Sequence, residues 1–299
     1  FRSKGYAWLL KQKKDDGGIY GKGLASYNTS SAIMALLARG RKEDEPAILK
    51  ARAFLVDQQT DWGKKGVADN KYDGGTGYGG TYPHSDMSNT YLALEALYHS
   101  RHLAQDNKSG EQPELDWGAA LTFISRCQNL EETNDQITAV APEDKGGLVY
   151  FPGDSKAGER KLPDGRVALR SYGSMSYAGL LSFIYAELDK DDPRVKGVLK
   201  WLGANYTLKE NPGLGAQGLY YYYHAMTKAL VAAQINMLPL ADGTKADWRK
   251  DLGTLLVSNQ KADGSWINEN SRWWENDSIL VTSYVVLTLE QIYFTLPQK

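Results

Sequence analysis

The stretch Gln260-Lys261-Ala262-Asp263-Gly264-Ser265-Trp266 closes one helical pattern and precedes another. Ahead of it, Ala246 to Gln260 sets apolar residues at three- and four-residue spacing among charged ones, the pattern of an amphipathic helix with one side in solvent. Beyond it, Ser278 to Tyr293 is apolar nearly all round, as a helix enclosed by others must be. Gly264 supplies the positive φ that a tight turn after a helix favours. The unit is an outer helix, a glycine turn and an inner helix.

The same alternation recurs toward the N-terminus. Gly5 to Lys13, Pro46 to Gln59, Leu115 to Gln128 and Pro193 to Tyr206 read as outer helices. Thr29 to Arg39, Asp86 to Ser100, Ser174 to Leu188 and Leu219 to Ala233 read as inner ones. A helical hairpin repeated in this way predicts an all-α fold, an α/α toroid of about five to six hairpins, as one domain over residues 1–299. Such a ring is a complete or incomplete α6–α6 barrel; a sixth hairpin is lost, irregular or held in the insert from Asn129 to Arg170. Aligned on their Ala/Leu tails, the inner helices place Ser31, Thr90, Ser176, Ala225 and Ser283 in one column, where small side chains let helices approach. One turn earlier stand Tyr27, Asp86, Tyr172, Tyr221 and Ile279, at the expected N-terminal mouth of the inner ring.

Bulk composition fits an ordinary globular protein, 42% apolar and 24% charged. A formal charge of −1 creates no field that would draw the chain to nucleic acid or an anionic membrane. Uninterrupted apolar runs such as Gly179 to Ala186 fall short of the roughly 20 residues of a bilayer span, so no transmembrane segment is expected. The lone Cys127 forms no internal disulfide, and cysteine usage leaves the compartment open. Phe1 stands where an initiator Met is absent, which points to a removed upstream segment, an export signal for a periplasmic or extracellular protein being one candidate. Gly74 to Gly80 is glycine-rich but lacks the following Lys of a phosphate loop, and reads as a turn.

Gln260 to Trp266 matches the Q-x3-G-x-W repeat of squalene–hopene and oxidosqualene cyclases, and Gln12 to Gly18, Asp73 to Gly80 and Asp144 to Tyr150 are degenerate versions at corresponding places. The chain therefore resembles the terpenoid cyclase and prenyltransferase fold over most of its length. Blocks such as Arg170 to Tyr177, Leu219 to Leu230 and Trp273 to Tyr284 look closest to the uncharacterised prenyltransferase/squalene-oxidase-repeat proteins. In the cyclases the resemblance implies a D-x-D-D-T motif whose middle Asp protonates an alkene. Here Asp86-Met87-Ser88-Asn89-Thr90 keeps the first Asp and the Thr, with Ser88 and Asn89 where the acids should be, and a hydroxyl cannot protonate an alkene. Asp86 also reads as a helix N-cap, a place where Asp is among the favoured residues. Protein prenyltransferases of the same fold hold zinc, but Cys127 and the four histidines show no ligand spacing here, so neither metal nor other cofactor is expected.

The candidate site is a loop-rich mouth. Asp86, Tyr221 and His224 are the catalytic candidates, with Tyr78, His84, Asn89, Arg170, Tyr172, Trp273, Trp274 and Glu275 as ligand-binding candidates. At 100° per residue, Tyr220 shares one face with Tyr223 or His224, and Tyr221 takes another. Three readings follow. The first is a cyclase-like protein that binds an apolar, isoprenoid-like ligand in the toroid lumen, aromatic faces being suited to a carbocation. The second is a carbohydrate-active, polysaccharide lyase-like enzyme on Tyr221, His224, Asn89 and Arg170, taking a glycan ligand. The third is a non-catalytic binding or scaffold domain.

Overall fold

The computed structural model describes residues 2–80, 82, 84–106, 110 and 112–296. Ten α-helices run through them: α1 (Arg2–Leu10), α2 (Ala25–Arg39), α3 (Glu45–Asp57), α4 (Met87–Gln105), α5 (Trp117–Arg126), α6 (Gly173–Tyr185), α7 (Pro193–Ala204), α8 (Leu219–Ala232), α9 (Trp248–Ser258) and α10 (Ser278–Thr295). The only strands among those residues are two short antiparallel pairs. β1 (Glu159–Lys161) pairs with β2 (Val167–Leu169), and β3 (Leu238–Pro239) with β4 (Lys245–Ala246). The chain is all-α, and each helix falls where its periodicity puts it, within a few residues at the ends. The insert 129–170 holds the β1–β2 hairpin and a 3-10 turn at Pro142–Asp144, and no sixth helical hairpin.

Local chemistry sets the helix ends. Asp86, Asp192, Asp247 and Asp277 each turn a side-chain oxygen onto a backbone N–H of the helix that follows. Pro193, in the first turn of α7, lacks only a donor that the helix leaves unpaired there. Gly40 ends α2 in the left-handed region, its N–H reaching the carbonyls of Leu36 and Leu37.

Residues 1–126 and 127–299 form two compact units. In the first, α2 packs on α4, and α3 backs both over a core that includes Ile33, Leu36, Leu55 and Leu97. Arg52, buried in that core, bonds the Leu97 carbonyl, the Ser100 hydroxyl at 2.7 Å and the Glu114 carboxylate at 3.1 Å, so its charge is paired. In the second unit α8 lies between α6 and α10, with α7 against α6 and α9 against α10, over Phe183, Tyr222, Leu230, Leu252 and Val285.

One hydrogen bond recurs where a turn meets its inner helix. The N–H of Ile19, Thr76, Leu148 and Trp266 donates to the hydroxyl of Thr29, Thr90, Ser176 and Thr282, at 3.0, 2.9, 3.0 and 3.2 Å. This corrects the column of small residues at two places, Thr29 for Ser31 and Thr282 for Ser283, because the loop anchor rather than the apolar tail fixes the register. Ala225 has no hydroxyl to offer at that level of α8.

A second correction concerns α10, expected to be enclosed. Only Val281, Val285, Thr288 and Ile292 of its eighteen residues are buried, whereas twelve of the thirteen in α6 are. By length and composition α10 is also the one described helix that meets the requirement for crossing a bilayer. Its hydroxyls, Glu290 and Gln291 interrupt the apolar runs that a scan of the sequence looks for.

Candidate functional site

In the first unit the candidate residues gather where the turns meet the heads of α2 and α4. Asp86, fully buried, accepts from Ser88 Oγ at 2.7 Å, Asn89 N at 2.9 Å and Asn89 Nδ2 at 2.8 Å. Burial pushes its carboxyl above the usual range, and these three donors pull it back. Both oxygens are taken by the first turn of α4, which is the geometry of a cap. Asn89 holds its amide nitrogen on Asp86 while its own buried Oδ1 meets no donor.

Around this cap lie aromatic rings in two groups. Tyr78 stacks with Tyr27 at 6.4 Å and meets Tyr82 edge-on at 5.8 Å. His84 stacks on Tyr72 at 5.6 Å, and Tyr72 in turn meets Trp62 at 5.5 Å. The expected His84 and Tyr78 thus bring with them Tyr27, Tyr72, Tyr82 and Trp62.

In the second unit the candidates surround the head of α8. Gly218 precedes this helix in the left-handed region and offers no side-chain cap. Glu275, from the loop before α10, fills that role: one oxygen accepts from Tyr221 N at 2.8 Å, the other from Asn268 Nδ2 at 2.7 Å. Burial raises its carboxyl, opposed first by Asn268 and then by the N–H groups of Tyr221, Tyr220 and Leu219. Its acceptors are therefore directed at the helix. Asn211 does the same for α6, accepting from Ser174 N at 3.0 Å.

Trp273 and Trp274 both hold a left-handed backbone, φ 55° and 61°. Two bulky residues there cost about 1–2 kcal/mol each, a conformation kept only where surroundings over-determine it. Gly218 explains the first: a Cβ at that position would sit 3.0 Å from the Trp273 ring, which lies over it under the Arg272 guanidinium. Trp274 stands outward, 70% exposed. Tyr172 is buried at the start of α6, and Arg170 Nη1 bonds the Ala157 carbonyl at 3.1 Å.

Of the four consecutive tyrosines, Tyr220, Tyr222 and Tyr223 are buried, and Tyr222 and Tyr223 donate to the carbonyls of Thr207 and Leu208. Tyr220 meets Tyr223 edge-on at 5.7 Å, as expected, while His224 shares its side of α8 with the half-buried Tyr221. The residue between them is Tyr284 of α10, edge-on to Tyr221 at 6.0 Å and stacked with His224 at 5.6 Å. Burial, with Lys228 adding to it, drives the His224 imidazole down to about 3, so the ring is neutral at physiological pH. A base that weak is poorly matched to proton abstraction near pH 7.

The geometry draws together Tyr221, His224, Glu275 and Trp273 at α8, and separately Tyr78, His84, Asp86 and Asn89 at α4. Tyr284, Asn268 and Asn211 were not among the expected residues. Tyr284 had a sequence signal, a ring set in the Val, Leu and Thr run of α10; the two asparagines, each in a long loop, had none.

No family model matches the sequence, and no curated protein does. Among solved structures the chain is similar to a type II terpene cyclase from Scytonema in complex with geranylgeranyl dihydroxybenzoate, its substrate. The identity is 13% and the TM-score 0.38, covering 99% of this chain and 97% of that one.

Proposed function

We propose that the chain is a terpenoid cyclase- and prenyltransferase-like protein, a single α/α toroid over residues 1–299 with Gln260 to Trp266 as its Q-x3-G-x-W repeat. It binds an apolar, isoprenoid-like ligand and does not initiate cyclisation by protonation. The observation that carries this reading is the trio Tyr221, Tyr284 and His224, three neutral rings on adjacent inner helices. Such faces suit hydrocarbon and, where charge develops, a cation. Asp86 serves as a cap rather than an acid, since its two oxygens accept three hydrogen bonds from its own helix. Glu275 is a positioning residue that holds the head of α8, and with it Tyr221, in place. Trp273, Trp274, Tyr172 and Arg170 complete the ligand-binding set of the second unit, and Tyr78, His84 and Asn89 form a set of their own in the first.

The low basicity of His224 weighs against the polysaccharide lyase reading. Native mass spectrometry and thermal shift with geranylgeraniol and squalene, against uronate oligosaccharides, test the assignment. Retention of the isoprenoids, lost in Tyr221→Ala and Tyr284→Ala but kept in Trp8→Ala, is the expected result. Stabilisation by the uronates instead, or by neither panel, overturns it.

A further inference from the structure

Four turns in this chain share one geometry and differ in what sits on them. Gly17, Gly74, Gly146 and Gly264 hold φ of 92°, 87°, 92° and 84°. On the first three, the place a Cβ would take is already filled by the backbone of the next outer helix: the carbonyl oxygens of Lys50 in α3, Ala119 in α5 and Gly197 in α7. Only glycine admits so close an approach. Gln59 and Gln128 tighten two of these junctions. Each amide nitrogen donates to its turn glycine's carbonyl, Gly74 at 3.0 Å and Gly146 at 2.9 Å, and to a carbonyl at the head of the incoming helix, Asp116 and Arg194, both at 2.9 Å.

The fourth turn is built in the same way. Gln260 Nε2 bonds the Gly264 carbonyl at 3.0 Å, and the Trp266 indole donates to Leu256 O at the end of α9 at 2.7 Å. Among the described residues no helix backbone lies on Gly264, whose would-be Cβ meets only the Gln260 amide, at 3.9 Å, and Gln260 itself is exposed. The inner helix beside it is uncovered as well, with Ile279, Val286, Leu287, Tyr293 and Phe294 facing outward. At its foot a groove of about 600 Å³ runs between α9 and α10 past Met237, Gly253, Thr254, Ile292 and Leu296. The α8–α9 junction is made by other means, the Trp248 indole on Ile235 O at 2.8 Å.

We propose that this end of the chain is a docking surface for the α1–α2 hairpin of a second copy. Outer helix α1 seats on the Gln260–Gly264 turn, and α2 lies along α10. The surface continues an interface the chain already makes three times within itself, and the occupant is the hairpin type that interface takes elsewhere. Helix α1 has the matching features: Gly5, whose would-be Cβ faces open space, and Trp8, 64% exposed. On α2, Ser31 and Ala38 are exposed and Met34 and Ala35 half-buried, a low surface opposite the large residues of α10. The contact joins two different faces, so copies associate head to tail.

Sedimentation velocity of the full chain across a wide concentration range reads this directly, with circular dichroism to show that each variant is folded. Gly5→Arg alters the incoming helix at an open position, and Val286→Lys the receiving one at an exposed position; each is expected to weaken self-association at least about tenfold. An equimolar mixture of the two variants is expected to recover a dimer, because the mixed pair keeps one intact face from each. A monomer at every concentration overturns the proposal, and so does association that Val286→Lys abolishes and Gly5→Arg leaves unchanged. Flotation of the chain with phosphatidylcholine vesicles, abolished by Val286→Lys, overturns it too and assigns the face to a membrane.

Discussion

Helices α6 and α10 have the same sequence character, apolar with scattered hydroxyls and three aromatic rings each, and opposite surroundings. The turn ahead of α6 carries the next outer helix on Gly146, and the next inner helix covers α6. The turn ahead of α10 has Gly264 at nearly the same φ, with no helix on it, and α10 is left largely in solvent. A repeat unit therefore does not bury itself. Its core is completed by the unit that follows, which is why identical local chemistry yields buried surface in one place and a binding face in another.

Substitutions at matched positions measure that difference. The glycine and phenylalanine pairs carry the largest expected effects. Gly146→Ala places a Cβ on the Gly197 carbonyl in addition to the left-handed penalty, and should cost about 3–4 kcal/mol. Gly264→Ala meets only the penalty and should cost about 1 kcal/mol. Urea denaturation of both variants gives the comparison, and equal losses would break it. Next, Phe183→Ala in α6 removes a fully buried ring, about 3–5 kcal/mol, whereas Phe294→Ala in α10, where the ring is 68% exposed, should fall within about 0.5 kcal/mol.

The glutamines follow at smaller scale. Gln128→Ala deprives the Gly146 and Arg194 carbonyls of a donor and is expected to cost about 1–2 kcal/mol, with Gln260→Ala near zero at low protein concentration. Separate from these substitutions is a pH dependence at the one side of α10 that is sealed, where Tyr284 stacks on His224. The folded imidazole sits at about 3, below its ordinary 6.5, so the unfolded chain takes up a proton first as pH falls. Stability on this account is full above pH 6.5 and declines from there toward pH 3. His224→Gln should flatten that part of the stability profile, and NMR of wild-type chain should show one histidine that does not titrate between pH 8 and 5.

Much of the fold was legible in order. The periodicity of Pro193 to Tyr206 and of Leu219 to Ala233 marks α7 and α8 almost to the residue, because an amphipathic or all-apolar helix writes its burial at 3.6-residue spacing. The site was legible in part. Asp86 announced itself as a cap by standing at the head of a helix, a local relation. Glu275 did not, since the helix it caps begins at Leu219, far away along the chain, and no local pattern reports that. Tyr284 likewise gains its meaning only from α8.

The amino-acid sequence by itself determined the helices, their glycine turns and the hairpin unit, all of which depend on neighbours within a few residues. Only the tertiary structure decided which hydroxyls anchor the turns, which carboxylate caps which helix, and that α10, as apolar as its fellows, is left uncovered. Those outcomes depend on which surfaces meet across long stretches of chain, and apolar periodicity records that a face wants a partner without recording whether the chain provides one.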